Sequence, residues 1–99
     1  MKKVFISQPM NGRSDEDILK ERQQIIEKTK AALGEDVEVV DSFFQDAPHD
    51  AKPLWFLGKS LELLSSADVA CFAPKALDAR GCKIEYDCCI AYGIRTLQF

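Results

Sequence analysis

The sequence lacks a charge excess of either sign, a long apolar run, and more than one histidine. Thirteen Lys and Arg stand against 16 Asp and Glu, a formal net charge of −3. A chain that grips nucleic acid through its phosphates wants a basic balance, so this ledger argues against a nucleic-acid polymer as partner. No apolar stretch approaches the roughly 18–20 residues of a membrane span, which argues against a membrane partner. Met1-Lys2-Lys3 carries the charge of a secretory leader, but only Val4-Phe5-Ile6 follows before Ser7-Gln8-Pro9. That is short of an apolar region of about 7–15 residues, so a cytoplasmic chain is expected. Internal repeats, low-complexity stretches and linkers are absent as well. The 99 residues form one domain, 1–99, since two need roughly twice that length. A domain of this size buries only about 60–70% of its unfolded surface. The marginal core would gain from a partner chain, and a homodimer or higher homo-oligomer is expected.

Metal and cofactor signals are missing too. The four cysteines, Cys71, Cys82, Cys88 and Cys89, are spaced by 11, 6 and 1 residues, and the one histidine, His49, is far from them. A zinc site wants paired C-x2-C spacing or a nearby histidine. The cysteines therefore read as small buried hydrophobes, with a redox-sensitive or partner-facing thiol as the alternative; no metal and no cofactor are expected. Neither the Gly-x-x-x-x-Gly-Lys phosphate loop nor the Gly-x-Gly-x-x-Gly dinucleotide turn occurs.

What is present is alternation. Residues 2–7 form a short apolar first strand, and Pro9 with Asn11-Gly12 marks a loop. Ser14 is placed to cap a helix whose first turn holds Asp15, Glu16 and Asp17; Ile18, Arg22, Ile25, Ile26, Thr29 and Leu33 recur at helical spacing, and Gly34 stops it. Val37–Val40 predicts a second strand and 43–51 a loop. Pro53 opens a second helix over 52–66, with Leu54, Leu57, Leu61 and Leu64 on one face. A third strand is expected over 67–72, a loop over 73–81, a third helix over 82–92 with Ile84, Cys88 and Ala91 on its apolar face, Gly93 as its stop, and a last strand over 94–99. The order β-α-β-α-β-α-β implies an α/β fold: four parallel strands with helices on both faces. Right-handed crossovers prune the possible topologies, and strand order 2-1-3-4, the flavodoxin-like doubly wound arrangement, is expected, with 1-2-3-4 as the alternative.

In such sheets ligands bind beyond the carboxyl ends of the strands, where strand order switches. Here that crevice lies between strands one and three, faced by the loops Ser7 to Arg13 and Ala73 to Gly81. The first loop could offer backbone N–H groups to an anion, with Arg13 in support, or could simply turn the chain. Glu85, placed in the first turn of the third helix, should feel the positive helix end. Its pKa should fall, leaving a carboxylate suited to a nucleophile or to stabilising a cation; an acid in a first helical turn is also a common stabilising device. Asp68 reads as a turn residue at a strand's amino end, His49 as an exposed loop residue with a role near a ligand as the alternative, and Trp55 as packing or interface surface with stacking on a ligand as the alternative.

Gln8-Pro9-Met10-Asn11-Gly12, Ala67-Asp68-Val69, and Arg80-Gly81-Cys82-Lys83-Ile84-Glu85-Tyr86 followed by Ala91-Tyr92-Gly93 together resemble small phage and bacterial domains of the nucleoside 2-deoxyribosyltransferase-like superfamily. The resemblance runs along essentially the whole chain. It implies a flavodoxin-like fold with a nucleoside or nucleotide site, and a glutamate, here Glu85, that attacks C1′ and holds the sugar covalently until water or a second base resolves it. Ser60 stands where the family often has an aspartate on the second helix. Ala79 stands in place of a phosphate-binding serine, Gln8 and Met10 replace a serine and an arginine of the first loop, and Ser7 replaces a glycine. Arg13 or Arg80 could replace a lost phosphate contact. The resemblance thus marks Glu85 and Ser60 as the catalytic pair, and Ser7, Gln8, Pro9, Met10, Asn11, Gly12, Arg13, Arg80 and Gly81 as ligand-binding. The expected function is an N-glycosidase or deoxyribosyltransferase; a non-catalytic nucleotide-binding module and a protein-interaction domain are the alternatives.

Overall fold

The structure, a computed structural model, describes residues 1–44 and 47–99. Its elements are β1 (Lys2–Ser7), α1 (Asp15–Leu33), β2 (Val37–Val40), α2 (Pro53–Leu64), β3 (Val69–Phe72), α3 (Arg80–Tyr92) and β4 (Arg95–Gln98). All strands are parallel, in the order β2-β1-β3-β4. The expected 2-1-3-4 arrangement is therefore the one found, and 1-2-3-4 is not.

Period-two alternation shows which helix covers which face. Ile6 and Cys71 are register partners, as are Ser7 and Phe72. Cys71 Sγ lies 3.2 Å from Thr29 Oγ1 of α1. Phe72 meets Tyr86 of α3 edge-on, with ring centroids 5.4 Å apart. Hence α1 covers one face, α3 covers the other, and α2 packs beside α3. The central strands are buried on both faces: Val4, Phe5 and Ile6 of β1 and all of β3 are at most 1% exposed. That accounts for their near-continuous apolar sequence. Asp68 ties the amino ends of β1 and β3 together, its Oδ2 accepting from the Lys3 amide at 2.8 Å and its own amide donating to the Lys3 carbonyl at 2.8 Å. This is the turn role expected of it.

Local rules set the helix ends. Ser14 accepts from the Asp17 amide and caps α1, and Pro53 sits at the start of α2. Gly34 and Gly93 end α1 and α3 in the left-handed region, at φ 69° and 74°. Four expectations need correcting. β3 begins at Val69 rather than 67, because Ala67 and Asp68 turn the chain out of α2. Helix α3 begins at Arg80 rather than 82, since a short 3-10 turn, Ala76–Asp78, closes the preceding loop and leads directly into it. Finally, α3 does not bury Ile84, Cys88 and Ala91. It buries Cys82, Glu85 and Cys89, while Ile84 and Ala91 are exposed. The small thiols allow the helix to approach the sheet, and Glu85 finds a polar partner there. Leu54, expected on the inner face of α2, is likewise exposed, because it precedes the part of α2 that packs.

A Cβ on Gly93 would meet no heavy atom within 4 Å, so substitution there tests backbone strain alone. Gly93→Ala is expected to lower stability by about 1–2 kcal/mol, seen as a Tm drop of roughly 4–8 °C per kcal/mol in thermal melts; an unchanged Tm would show that the left-handed C-terminus of α3 is not required.

Candidate functional site

A cleft of about 1270 Å³ opens beyond the carboxyl ends of β1 and β2, rather than between β1 and β3 as expected, and of the 73–81 loop only Asp78 to Gly81 reach it. One side is the β1 loop, Ser7 to Asn11 with Arg13. Opposite are the residues after β2, including Phe43 and Phe44, and the first turns of α2. The start of α3, Ala79 to Cys82, with Ile84 and Glu85, completes the wall. Every residue expected at the site lines this one cleft except Gly12. Gly12, at φ 73°, turns the chain beside it. Residues separated by up to 78 positions in sequence are therefore brought together.

At its core is Glu85, 7% exposed. Ser7, the last residue of β1, donates from Oγ to Glu85 Oε1 at 2.6 Å, a short, charge-assisted bond if the carboxylate is ionised. Because α3 starts at Arg80, Glu85 falls in the second turn, not the first. Burial pushes its carboxyl above the ordinary value, and the hydroxyls of Ser7 and Ser60 oppose the rise without cancelling it. The expected fall does not occur. The helix-end field fades within a turn, whereas desolvation of a charge grows with burial. Ser60, projecting from α2, thus meets Glu85 as the sequence pattern required, but as a hydroxyl.

The β1 loop is held from behind. Gln8 is buried; its Nε2 donates to the Ile18 carbonyl at 3.2 Å and to Glu21 Oε1 at 2.9 Å. Arg13 donates to the Pro9 carbonyl at 2.9 Å and pairs with Glu21 at 2.8 Å. The side chains of Gln8 and Arg13 are thus committed to the loop's own structure. Arg80 is exposed on the rim, and Gly81 lines the wall beside it.

One wall escaped the sequence reading. Phe44 packs edge-on against Trp55 (centroids 6.0 Å apart) and beside Phe56 (6.4 Å); Trp55 in turn meets Phe56 edge-on at 5.2 Å. Phe44 and Phe56 line the cleft and Trp55 does not. Trp55 therefore backs the wall, in the packing role expected of it. The signal for the wall was the pair Phe43-Phe44 just past the carboxyl end of a strand. His49 is exposed and does not line the cleft. Among the described residues no group of His, Cys, Asp or Glu is arranged to hold a metal. The four thiols are free; Cys71, Cys82 and Cys89 are buried, and burial pushes Cys89 up to about 11.

No family model and no curated protein matches the chain. Two solved structures do match. One is a 2-deoxyribosyltransferase from the psychrotolerant bacterium Bacillus psychrosaccharolyticus, at TM-score 0.64 and 17% identity over 98% of this chain and 71% of that one. The other is a conserved protein from Enterococcus faecalis V583, at TM-score 0.66 and 16% identity over 99% of this chain and 62% of that one. The chain thus spans about two thirds of the length of each. At these identities the likeness is one of fold: a four-stranded parallel α/β sheet of the kind that a 2-deoxyribosyltransferase also uses.

Proposed function

We propose that this protein cleaves the N-glycosidic bond of a nucleoside or nucleotide, with Glu85 as nucleophile. The observation that carries the reading is a buried carboxylate on the wall of a cleft, fixed by a hydroxyl from the end of a central strand. The cleft's volume suits a ligand of that size. In the first step a Glu85 oxygen forms a bond to C1′ as the C1′–N bond breaks; the electron pair leaves on the base nitrogen, which takes a proton from water. In the second, water or another base attacks C1′ and the carboxylate is released. Ser7 orients the carboxylate, and partial desolvation makes the anion more basic and less masked by water. Ser60 supplies a hydrogen bond, not an acid. The shared fold of the deoxyribosyltransferase supports the reading without assigning it.

A second reading, a nucleotide-binding module without turnover, is favoured by one observation. The groups acting on Glu85 are two hydroxyls and burial, with no second carboxylate among them.

Incubation of deoxynucleosides and their monophosphates with the protein is expected to release free base, read by chromatography. Glu85→Gln should lower kcat by at least about 10³-fold. Its fold should survive and gain. The folded-state pKa of Glu85 is raised, so the folded chain holds the proton more tightly than the unfolded one. Stability falls as pH rises from the ordinary glutamate value through the folded value. Glu85→Gln should therefore raise Tm at pH 7 relative to wild type and flatten its dependence on mildly acidic pH. Stabilisation by a nucleotide with no base released from any substrate would instead support the module.

The acid limb of kcat/KM should report the Glu85 carboxyl. Ser7→Ala removes a bond that favours the ionised form, so the limb should move to higher pH; a shift to lower pH would contradict the role given to Ser7. We also propose self-association, since Ile84, Ile90 and Tyr92 of α3 are exposed. Sedimentation velocity should give at least twice the 11.1 kDa chain mass, and a concentration-independent monomer would contradict it.

A further inference from the structure

A buried cation stands behind the cleft without lining it. Arg22 of α1 is 6% exposed, an unusual place for a guanidinium unless it is hydrogen-bonded. Its Nη1 donates to Gln8 Oε1 at 3.1 Å and to Ser42 Oγ at 3.3 Å. Ser42 donates onward to the Ile6 carbonyl of β1 at 3.0 Å. Gln8 is the first residue of the loop after β1, and Ser42 lies in the segment after β2 that leads into Phe43 and Phe44. One side chain from a third element thus joins the two lips of the cleft.

Side-chain hydrogen bonds reinforce the joint mainly on the β1 side. Gln8 also donates to Ile18 and Glu21 of α1, and Arg13 closes the loop back onto Glu21 and the Pro9 carbonyl. Among the described residues, the β2 lip is hydrogen-bonded through Ser42, to Arg22 and the β1 backbone, and through the Phe43 amide donating to Asp41, while Phe44 packs on Trp55 and Phe56. Neither lip belongs to a regular element, so no backbone ladder sets the distance between them.

We propose that Arg22 is the positioning residue of the cleft: it touches no ligand, and it sets the spacing and rigidity of the 8–13 and 42–44 lips against Glu85. Burial opposes the charged guanidinium, and its neutral partners Gln8 and Ser42 with the more distant Asp41 do not fully offset that desolvation. The residue is therefore better explained by geometry than by stability. Its effect on turnover rests on the proposed glycosidic activity, and its effect on the lips does not.

Arg22→Met separates the two. In 15N relaxation on the ligand-free protein, backbone order parameters across 8–13 and 42–44 should fall together, from the rigid range near about 0.85 toward about 0.6, while those of β3 and α3 stay as in wild type. KM for the cleaved deoxynucleoside should rise about tenfold or more, with kcat within about threefold. Ser42→Ala cuts one arm only and should loosen 42–44 while leaving 8–13 rigid; it also decides the matter if Arg22→Met does not fold. Unchanged order parameters in both lips, or an equal loss across the whole chain, would overturn the proposal. A looser lip with KM unchanged would overturn its bearing on ligand binding. Wild-type protein that turns over no deoxynucleoside would count against the glycosidic reading alone, since the relaxation data still decide what Arg22 does.

Discussion

The hydrogen bond from Ser7 to Glu85 joins the end of a central strand to the inner face of a helix, and much of the site follows from it. A carboxylate at 7% exposure has given up most of its hydration, a loss that several kcal/mol of Coulomb and hydrogen-bond energy must offset if it stays charged. Ser7 supplies one bond directly and Ser60 opposes the shift from α2. Because this polar contact lies inward, α3 turns Cys82, Glu85 and Cys89 to the sheet and leaves Ile84 outside. The orientation of α3, the composition of its buried stripe and the position of the carboxylate are one solution to one constraint.

That contact is available because of strand order. In 2-1-3-4 the chain leaves β1 toward one edge and β3 toward the other, so the loops after them part and open a crevice. Parallel pairing aligns Ser7 with Phe72 and so aims both at the α3 face. Phe72 fills that face against Tyr86, while Ser7, one strand over, reaches Glu85 instead. On the opposite face, α1 supplies Arg22 and Glu21, whose side chains hold the loops from behind. The two faces of the sheet thus divide the work: α3 carries the buried carboxylate, and α1 carries the scaffold of the rim.

Much of this was legible in the residues. The alternation of apolar runs with helical periods, bounded by Ser14, Gly34, Pro53 and Gly93, gives the element order, and handedness narrows the strand order without fixing it. Ser7 and Glu85 could be named because they stand at strand and helix positions that topology brings together, and Ser60 through the family resemblance. The direction of the Glu85 shift was not legible. A helix end favours a carboxylate and burial disfavours it, and the sequence does not say how deep the side chain lies. The rotation of α3 was missed for a related reason: a periodicity count treats a glutamate as outward-facing, and here it faces in. Arg22 was counted among the residues at core spacing, but its partners, 14 and 20 positions away, have no local signature. The wall built by Phe44, Trp55 and Phe56 likewise needs the path of the chain after β2.

The central claim is that the site is organised around a partly desolvated carboxylate. A pH titration of the Glu85 side-chain carboxyl, followed by 13C NMR in the ligand-free protein, tests it most directly. The account predicts a midpoint above the ordinary value of 4.5. A midpoint at or below 4.5 would show a well-hydrated or strongly ion-paired carboxylate, and would contradict both the burial of Glu85 and the chemistry built on it.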